Sequence, residues 1–381
     1  MKIRVALGLA ALTIFAAAQG QSTLTELNQR LVERLKAFQS EAGFPGATFA
    51  YVLPDGRQGA VAVGFADKER NKTMQPDARM PAGSTGKTFF AAWILQEIEG
   101  GRLGLDDPLA KHLGGEAWFK RLANGGAVTL RQLFLHQSGI PEHVYGEAVH
   151  QAIRGRGDKP WTPADIVPFA LDSKPLFEPG KGWAYADTNY ILLALAAEAA
   201  TKQNGYAEIE RRFLRPFGLK GTQPATKRDM EGLTMGYTTL GRDFVGQETT
   251  LDDKGAFRVN PGFEWAGGGF VSTSQDLARW ALSLFGGKVL KPETLTLAKQ
   301  GVAARTGPGD QYGLGVQIRD GEWGKGYGHG GFYPGYLTEM EYVYDRFGVA
   351  IQFNTDSGQA LLRGRRRVML EMAKMVHEAT R

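Results

Sequence analysis

Cysteine is absent from all 381 residues, so the chain has no disulfide framework, no thiolate metal site and no lipid-bearing cysteine. The six histidines show no convincing ligand spacing (His143 and His150 are a lone pair), so neither a metal nor a cofactor is expected. Charge of one sign is equally scarce. Lysine and arginine number 45 against 40 acidic residues, a net +5, too weak to imply nucleic acid. After residue 18 no apolar run is long enough to span a bilayer, which argues against an integral membrane protein. Internal repeats and low-complexity segments are missing too.

What is present begins with Met1-Lys2-Ile3-Arg4, the apolar run from Val5 to Ala18, and Gln19-Gly20. Two positive charges, a short apolar stretch and small residues read as a secretory signal peptide cleaved near Ala18–Gly20, so export to a periplasm or the medium is expected. Helical periodicity follows (Leu24, Leu27, Leu31, Leu35, Phe38) and ends at Gly43-Phe44-Pro45-Gly46. Ala47–Leu53 and Gly59–Ala66 read as a hairpin around Pro54-Asp55-Gly56-Arg57. From Leu105 to about Pro224 helix signals dominate: Thr129 as an N-cap, Pro163 at a first helical position, then Asp187–Lys202 and Ala207–Leu214. β character returns at Tyr312–Arg319, at Tyr336–Tyr344 with its alternation, and at Val349–Phe353 after a turn at Asp345–Gly348. A C-terminal helix closes the chain, and Arg363–Arg367 at its start reads as a solvated face. The order strands, helices, strands, helix predicts an α/β (α+β) domain from both termini, 21–104 and 225–381, with an all-helical domain, 105–224, inserted between them behind the 1–20 leader.

The stretch that organises this order is Pro81-Ala82-Gly83-Ser84-Thr85-Gly86-Lys87-Thr88-Phe89-Phe90. A glycine turn delivers Ser84 to the start of an apolar helix. Lys87, three residues on, shares its face, so the amine reaches the hydroxyl. A lysine lowered in pKa by burial is a base beside a nucleophile, and the helix N-terminus offers N–H groups to an oxyanion. Ser84 also fits a plain N-cap with Lys87 in solvent. A phosphate-binding loop is excluded because position 81 is proline where that motif needs glycine. Ala82–Gly86 is a near miss to a nucleophile elbow, but only one helix and one hairpin precede it, too few for that fold.

Two further stretches decide between these readings. Tyr185-Ala186-Asp187 lies in a loop feeding a helix, and His329-Gly330-Gly331-Phe332 lies on a glycine-rich edge between strands. With Ser84-x-x-Lys87 they stand in the order of S-x-x-K, Y-x-N and K/H-x-G. From about Leu24 to Lys374 the chain therefore resembles the serine penicillin-recognising family: DD-peptidases, class C β-lactamases and related esterases. Leu135-His136-Gln137-Ser138-Gly139-Ile140-Pro141 and Gly267–Thr273 look familial as well; His136 and Gly139 are assigned to a helix end.

The resemblance implies a β-lactamase/transpeptidase-like fold, an antiparallel sheet flanked by helices with an inserted helical domain. It implies Ser84 as nucleophile, Lys87 and Tyr185 as proton relay, and the N–H groups of Ser84 and Phe332 as oxyanion hole. His329, Gly330 and Gly331 would line the opposite wall, with Arg319 a candidate for a substrate carboxylate. Two departures stand out. Asp187 replaces the usual asparagine, so an ion pair with Lys87 would keep the amine protonated and shift the base role towards Tyr185; Asp187 also fits an N-cap. His329 replaces lysine, closer to the peptidase and esterase branches than to an efficient β-lactamase. The expected activity is hydrolysis of a small-molecule or peptide amide or ester, such as a cell-wall peptide, an ester or a β-lactam. The alternative is a penicillin-binding sensor acylated at Ser84 without turnover.

Overall fold

The structure, a computed structural model, describes residues 24–307 and 309–381. The expected signal peptide and its expected cleavage site lie outside the described residues. Helix 24–42 leads into strands β1 (Gly46–Val52), β2 (Gln58–Asp67) and β3 (Lys72–Thr73). Three short strands, β4 (Met80–Pro81), β5 (Gln223–Pro224) and β6 (Phe270–Ser272), form a small sheet of their own. The late strands are β7 (Val302–Ala303), β8 (Gln311–Tyr312), β9 (Gln317–Gly321), β10 (Gly324–Tyr333), β11 (Tyr336–Val343) and β12 (Phe347–Phe353). They join the early hairpin in one nine-stranded antiparallel sheet of order β3-β2-β1-β12-β11-β10-β9-β8-β7. The seam between the chain's two ends is β1 on β12, with Ala50 opposite Ala350.

Alternation along β1 shows why the centre of this sheet, β1, β12 and β11, is interior. Phe49 and Tyr51 pack with Leu31, Leu35 and Phe38 of helix 24–42 and with Met369 and Met372 of the C-terminal helix Gln359–Ala379. Ala50 and Val52 face the opposite way, towards helices Lys87–Glu99, Asp187–Thr201 and Ser274–Phe285. Each apolar side chain so buried contributes roughly 2 kcal/mol. Covered on both faces, β11 is buried at all eight positions, and its polar residues are interior groups.

Three local expectations are corrected. The strand expected over Tyr312–Arg319 is two strands, because Gly313 N–H bonds Val316 O (2.8 Å) and turns the chain. Gly315 in that turn has φ +81°, and a Cβ there would lie 2.2 Å from the Ala91 methyl, so only glycine lets the turn press on the Lys87 helix. The β11–β12 turn falls at Tyr344 and Asp345, both with positive φ, and Phe347 and Gly348 are already paired. The arginine run is not simply solvated. Arg365 Nε donates to Glu339 (2.9 Å) and Arg366 Nε to Glu341 (3.0 Å), pinning the last helix to β11; Arg363 and Arg367 alone are exposed.

Among the described residues, 105–222 contributes helices and turns but no strand. Thr129 and Gln132 form a capping box at the start of Leu130–Phe134, and Pro163 opens Pro163–Ile166. This helical stretch supplies one side of the cleft whose other side is β10.

Candidate active site

Ser84 sits in a single 3-10 turn, Gly83–Gly86, that runs directly into helix Lys87–Glu99. That helix is buried on every side from Lys87 to Leu95, anchored by Trp280 Nε1 donating to Thr88 Oγ1 (2.8 Å) and by Phe89 stacked on Trp280. The turn is wedged against β10. Gly83 has φ +54°, and a Cβ there would meet Phe332 N at 2.7 Å and Phe332 O at 2.5 Å, so glycine lets the two backbones touch. The Ser84 and Phe332 backbones are thereby neighbours at the mouth of the cleft.

Lys87 is fully buried, and its Nζ has three acceptors around it. It donates to Ser84 Oγ (3.0 Å) and to the carbonyl of Gly267, and it forms an ion pair with Asp187, Oδ1 at 2.5 Å, without hydrogen-bond geometry. Asp187 is the first residue of its helix, not the cap; Ala186 is the N-cap and makes no side-chain bond. The Asp187 N–H is instead taken by Glu142 Oε2 (2.5 Å), which frees the Asp187 carboxylate to face the lysine. Burial holds the Asp187 carboxyl above the ordinary range, against the pull of Lys87. Burial acts on Glu142 the same way, but His143, the Asp187 N–H and Lys87 together offset it and keep Glu142 low. A third carboxyl, Glu264, is pushed up to about 8 by burial and then by Asp187. Lys87 thus lies among three acids.

Tyr185 packs its ring 5.0 Å from Lys87 Nζ. Burial first, then Asp187, raises the phenol well above 10. The Ser84 hydroxyl lies close enough to act in the other direction, yet the phenol makes no hydrogen bond of good geometry in this resting arrangement. The expected transfer of the base role to an acidified Tyr185 therefore does not follow from the ion pair: the ion pair is there, and the phenol is a weaker acid, not a stronger one.

His329 on β10 is buried and held low, to about 3, by burial and by Lys87. Its Nδ1–H donates to Gly330 O (2.6 Å), so Nε2 accepts from the Tyr312 hydroxyl (2.9 Å). The ring is a neutral wall. Ser84, Tyr185, His329, Gly330, Gly331 and Phe332 line one cleft of about 290 Å³, with Arg319 and Arg365 at its far end. Arg319 is buried and spent on two carboxylates, Glu339 (2.8 Å) and Glu341 (3.4 Å), which leaves it little charge for a substrate. A larger basin of about 700 Å³ adjoins the cleft at Arg319, Glu339 and Arg365, but no nucleophile reaches it. A side pocket of about 130 Å³ opens beside Ser84 between Tyr145, Phe244, Phe332 and Pro334, with Glu142, Asp187 and Glu264 also lining it.

The site has members that the sequence reading passed over. His136, read as a helix end, is buried with its ring centroid 4.3 Å from that of Tyr185. Glu142, Glu264 and Tyr312 carry no motif of their own. The Leu135–Pro141 signature was the available signal, since Glu142 immediately follows it. Among the described residues no group of three or more His, Asp and Glu is placed to hold a metal ion, and no helix is long and apolar enough to cross a membrane.

Comparison with known proteins bears on the family and the fold. Penicillin-binding protein 4* of Bacillus subtilis (strain 168) is 25% identical over 296 residues, 73% of this chain and 60% of that protein. Protein flp of Staphylococcus aureus (strain N315) is 24% identical over 269 residues, 68% of this chain and 49% of its own length. The chain thus spans about half to three-fifths of these curated relatives. Among solved structures, a D-stereospecific amidohydrolase from Streptomyces sp. superposes with TM-score 0.75 at 27% identity, covering 88% of this chain and 98% of that one. The D-amino acid amidase of Ochrobactrum anthropi SV3 gives TM-score 0.77 at 24% identity over 93% of this chain and all of its own, a likeness of fold. The sequence profile described as Beta-lactamase matches residues 28–374, and the chain belongs to that family of serine hydrolases with the β-lactamase/transpeptidase-like fold.

Proposed function

We propose that this protein is an exported serine hydrolase that cleaves amide or ester bonds through an acyl-enzyme at Ser84. D-configured amino-acid or peptide derivatives are the favoured substrates, as for a D-Ala-D-Ala carboxypeptidase or amidase, with esters next and β-lactams poor. The observation that carries it is the convergence on Lys87 Nζ of Ser84 Oγ at 3.0 Å and Asp187 Oδ1 at 2.5 Å, in a buried setting. The named activities of the amidohydrolase and the amidase support the D-amino-acid class, and the leader supports export.

In the proposed chemistry the substrate carbonyl oxygen enters between the N–H groups of Ser84 and Phe332. The Lys87 ammonium gives one proton to Asp187, whose carboxyl burial has already raised. The neutral amine takes the Ser84 proton as Oγ bonds to the carbonyl carbon. Tyr185, protonated at neutral pH, gives its proton to the leaving amine or alkoxide as the C–N or C–O bond breaks. The phenolate recovers a proton from Lys87, and water enters by the reverse sequence to free the acid and restore Ser84. Losing one oxyanion donor would cost on the order of 100-fold in rate.

A second reading follows from the same lysine. If the Asp187 ion pair holds the Lys87 charge in place, Ser84 is acylated without efficient turnover, as in a penicillin-binding sensor. Incubation with D-Ala-D-Ala peptides, D-amino acid amides, p-nitrophenyl esters and a chromogenic cephalosporin separates the two. Turnover abolished by Ser84→Ala supports the hydrolase, whereas labelling without turnover supports the sensor.

A further inference from the structure

The Tyr185 hydroxyl has no hydrogen bond of good geometry in the resting site, so nothing at its reactive end fixes where it points. The constraint comes from the other end, and one residue supplies most of it. His136 follows helix Leu130–Phe134 in the left-handed region, φ +56°, and is fully buried. Its carbonyl accepts from Ala184 N (3.1 Å), the residue before Tyr185. Its ring Nδ1 accepts from Ala186 N (3.2 Å), the residue after. Its ring lies against the phenol ring, centroids 4.3 Å apart and planes 33° apart. Both backbone neighbours of Tyr185 and one face of its ring are therefore held by a single side chain and its carbonyl.

The imidazole is itself fixed. Asn189 Nδ2 also donates to Nδ1 (3.0 Å), and Ser138 Oγ donates to Asn189 Oδ1 (2.6 Å), which settles the amide orientation. With two donors on Nδ1 the ring hydrogen resides on Nε2, which has no hydrogen-bond partner; the ring as a whole packs edge-to-face on Tyr312, centroids 4.6 Å apart. A protonated ring would turn Nδ1 into a donor and break the bond to Ala186. Burial, then Lys87, keeps the ring neutral.

We propose that His136 is a positioning residue that aims the Tyr185 phenol at the leaving group. This deepens the hydrolase reading and rests on the acid role given there to Tyr185. Its signature is selective. A leaving group that departs as an anion needs no proton from Tyr185, whereas a leaving amine does, so loss of aim must fall on amides and spare activated esters.

The test uses His136→Gly, which fits the left-handed backbone but removes ring and acceptor, and His136→Asn, which fits it and keeps an acceptor near Nδ1. The readout is kcat/KM for D-phenylalanine amide and for p-nitrophenyl acetate. The glycine variant is expected to lose about 100-fold or more on the amide and less than about 10-fold on the ester, with asparagine restoring the amide to within about 10-fold of wild type. Equal loss on both substrates, or undiminished amide turnover in His136→Gly, overturns the proposal. A second readout needs no turnover: 13C relaxation of the Tyr185 ring, assigned with Tyr185→Phe, should show a rigid ring in wild type and His136→Asn and a mobile one in His136→Gly. An equally rigid ring in all three also overturns it. A wild type that hydrolyses neither substrate removes the hydrolase reading, and the ring measurement then decides the role of His136 alone.

Discussion

At the scale of the residue, the chemistry turns on where one proton rests between Lys87 and Asp187. If the pair shares it as described, the acidic limb of kcat/KM in the wild type follows a carboxyl whose pKa is raised above 3.8 by burial. Asp187→Asn removes that acceptor, so the limb set by the carboxyl should be lost from the profile; profiles that superimpose would rule the pair out of the proton path. Tyr185→Phe keeps the ring and removes only the hydroxyl. Turnover of an amide should fall at least about 100-fold while the thermal midpoint barely changes, and near wild-type kcat would reduce Tyr185 to packing. The Ser84–Lys87 pairing was readable in the sequence because i and i+3 share one turn, whereas Tyr185 and Asp187 were marked only by their likeness to the family motif. Glu142, Glu264 and His136 were not readable. Each reaches the site across a distant fold contact, as when Glu142 takes the N–H of Asp187, 45 residues on.

At the scale of the element, the cleft depends on how the tip of β10 is tethered. The buried Asp356 carboxylate accepts from the N–H groups of Thr239 (2.7 Å), Leu240 (3.2 Å), Gly241 (3.1 Å) and Gly335 (2.9 Å), and from the Thr238 hydroxyl (2.5 Å). It thereby staples the 238–241 loop to the β10–β11 turn, three residues beyond Phe332. Asp356→Asn places an NH2 group among donors and leaves buried N–H groups unmatched, so urea denaturation should show a loss of about 1–3 kcal/mol. Unchanged stability would mean the staple is dispensable. The long elements were legible from periodicity: the hairpin β1–β2, the Lys87 helix, the last helix. The break between β8 and β9 was not, because apolar residues continue through Gly313–Val316 and only contact with Ala91 demands the turn there. Likewise β11 reads as alternating, but a second helical layer covers its polar side, so the same Glu339 and Glu341 become interior partners of Arg319, Arg365 and Arg366.

At the scale of the whole molecule, helices from the middle of the chain and strands from its two ends meet over a cluster of buried acids, and stability must carry their charge. Glu264 illustrates the sign. Its folded pKa, about 8, lies above the ordinary 4.5, so the protonated form favours the fold. Its contribution is fully present below about 4.5 and is lost as pH rises through about 8. Glu264→Gln cannot ionise, so the difference in unfolding free energy between variant and wild type should grow in the variant's favour across that window. A pH-independent difference would contradict the raised value. The antiparallel sheet flanked by helices is the architecture that the family resemblance implied, with strands from the two ends of the chain meeting where β1 pairs with β12.

The central claim, that Ser84 is the nucleophile of this cleft, is most directly tested by intact-mass spectrometry after treatment with a serine-directed fluorophosphonate. Wild type should gain one adduct that maps to Ser84, and Ser84→Ala should gain none. Equal labelling of the variant, or an adduct mapping elsewhere, would contradict the account.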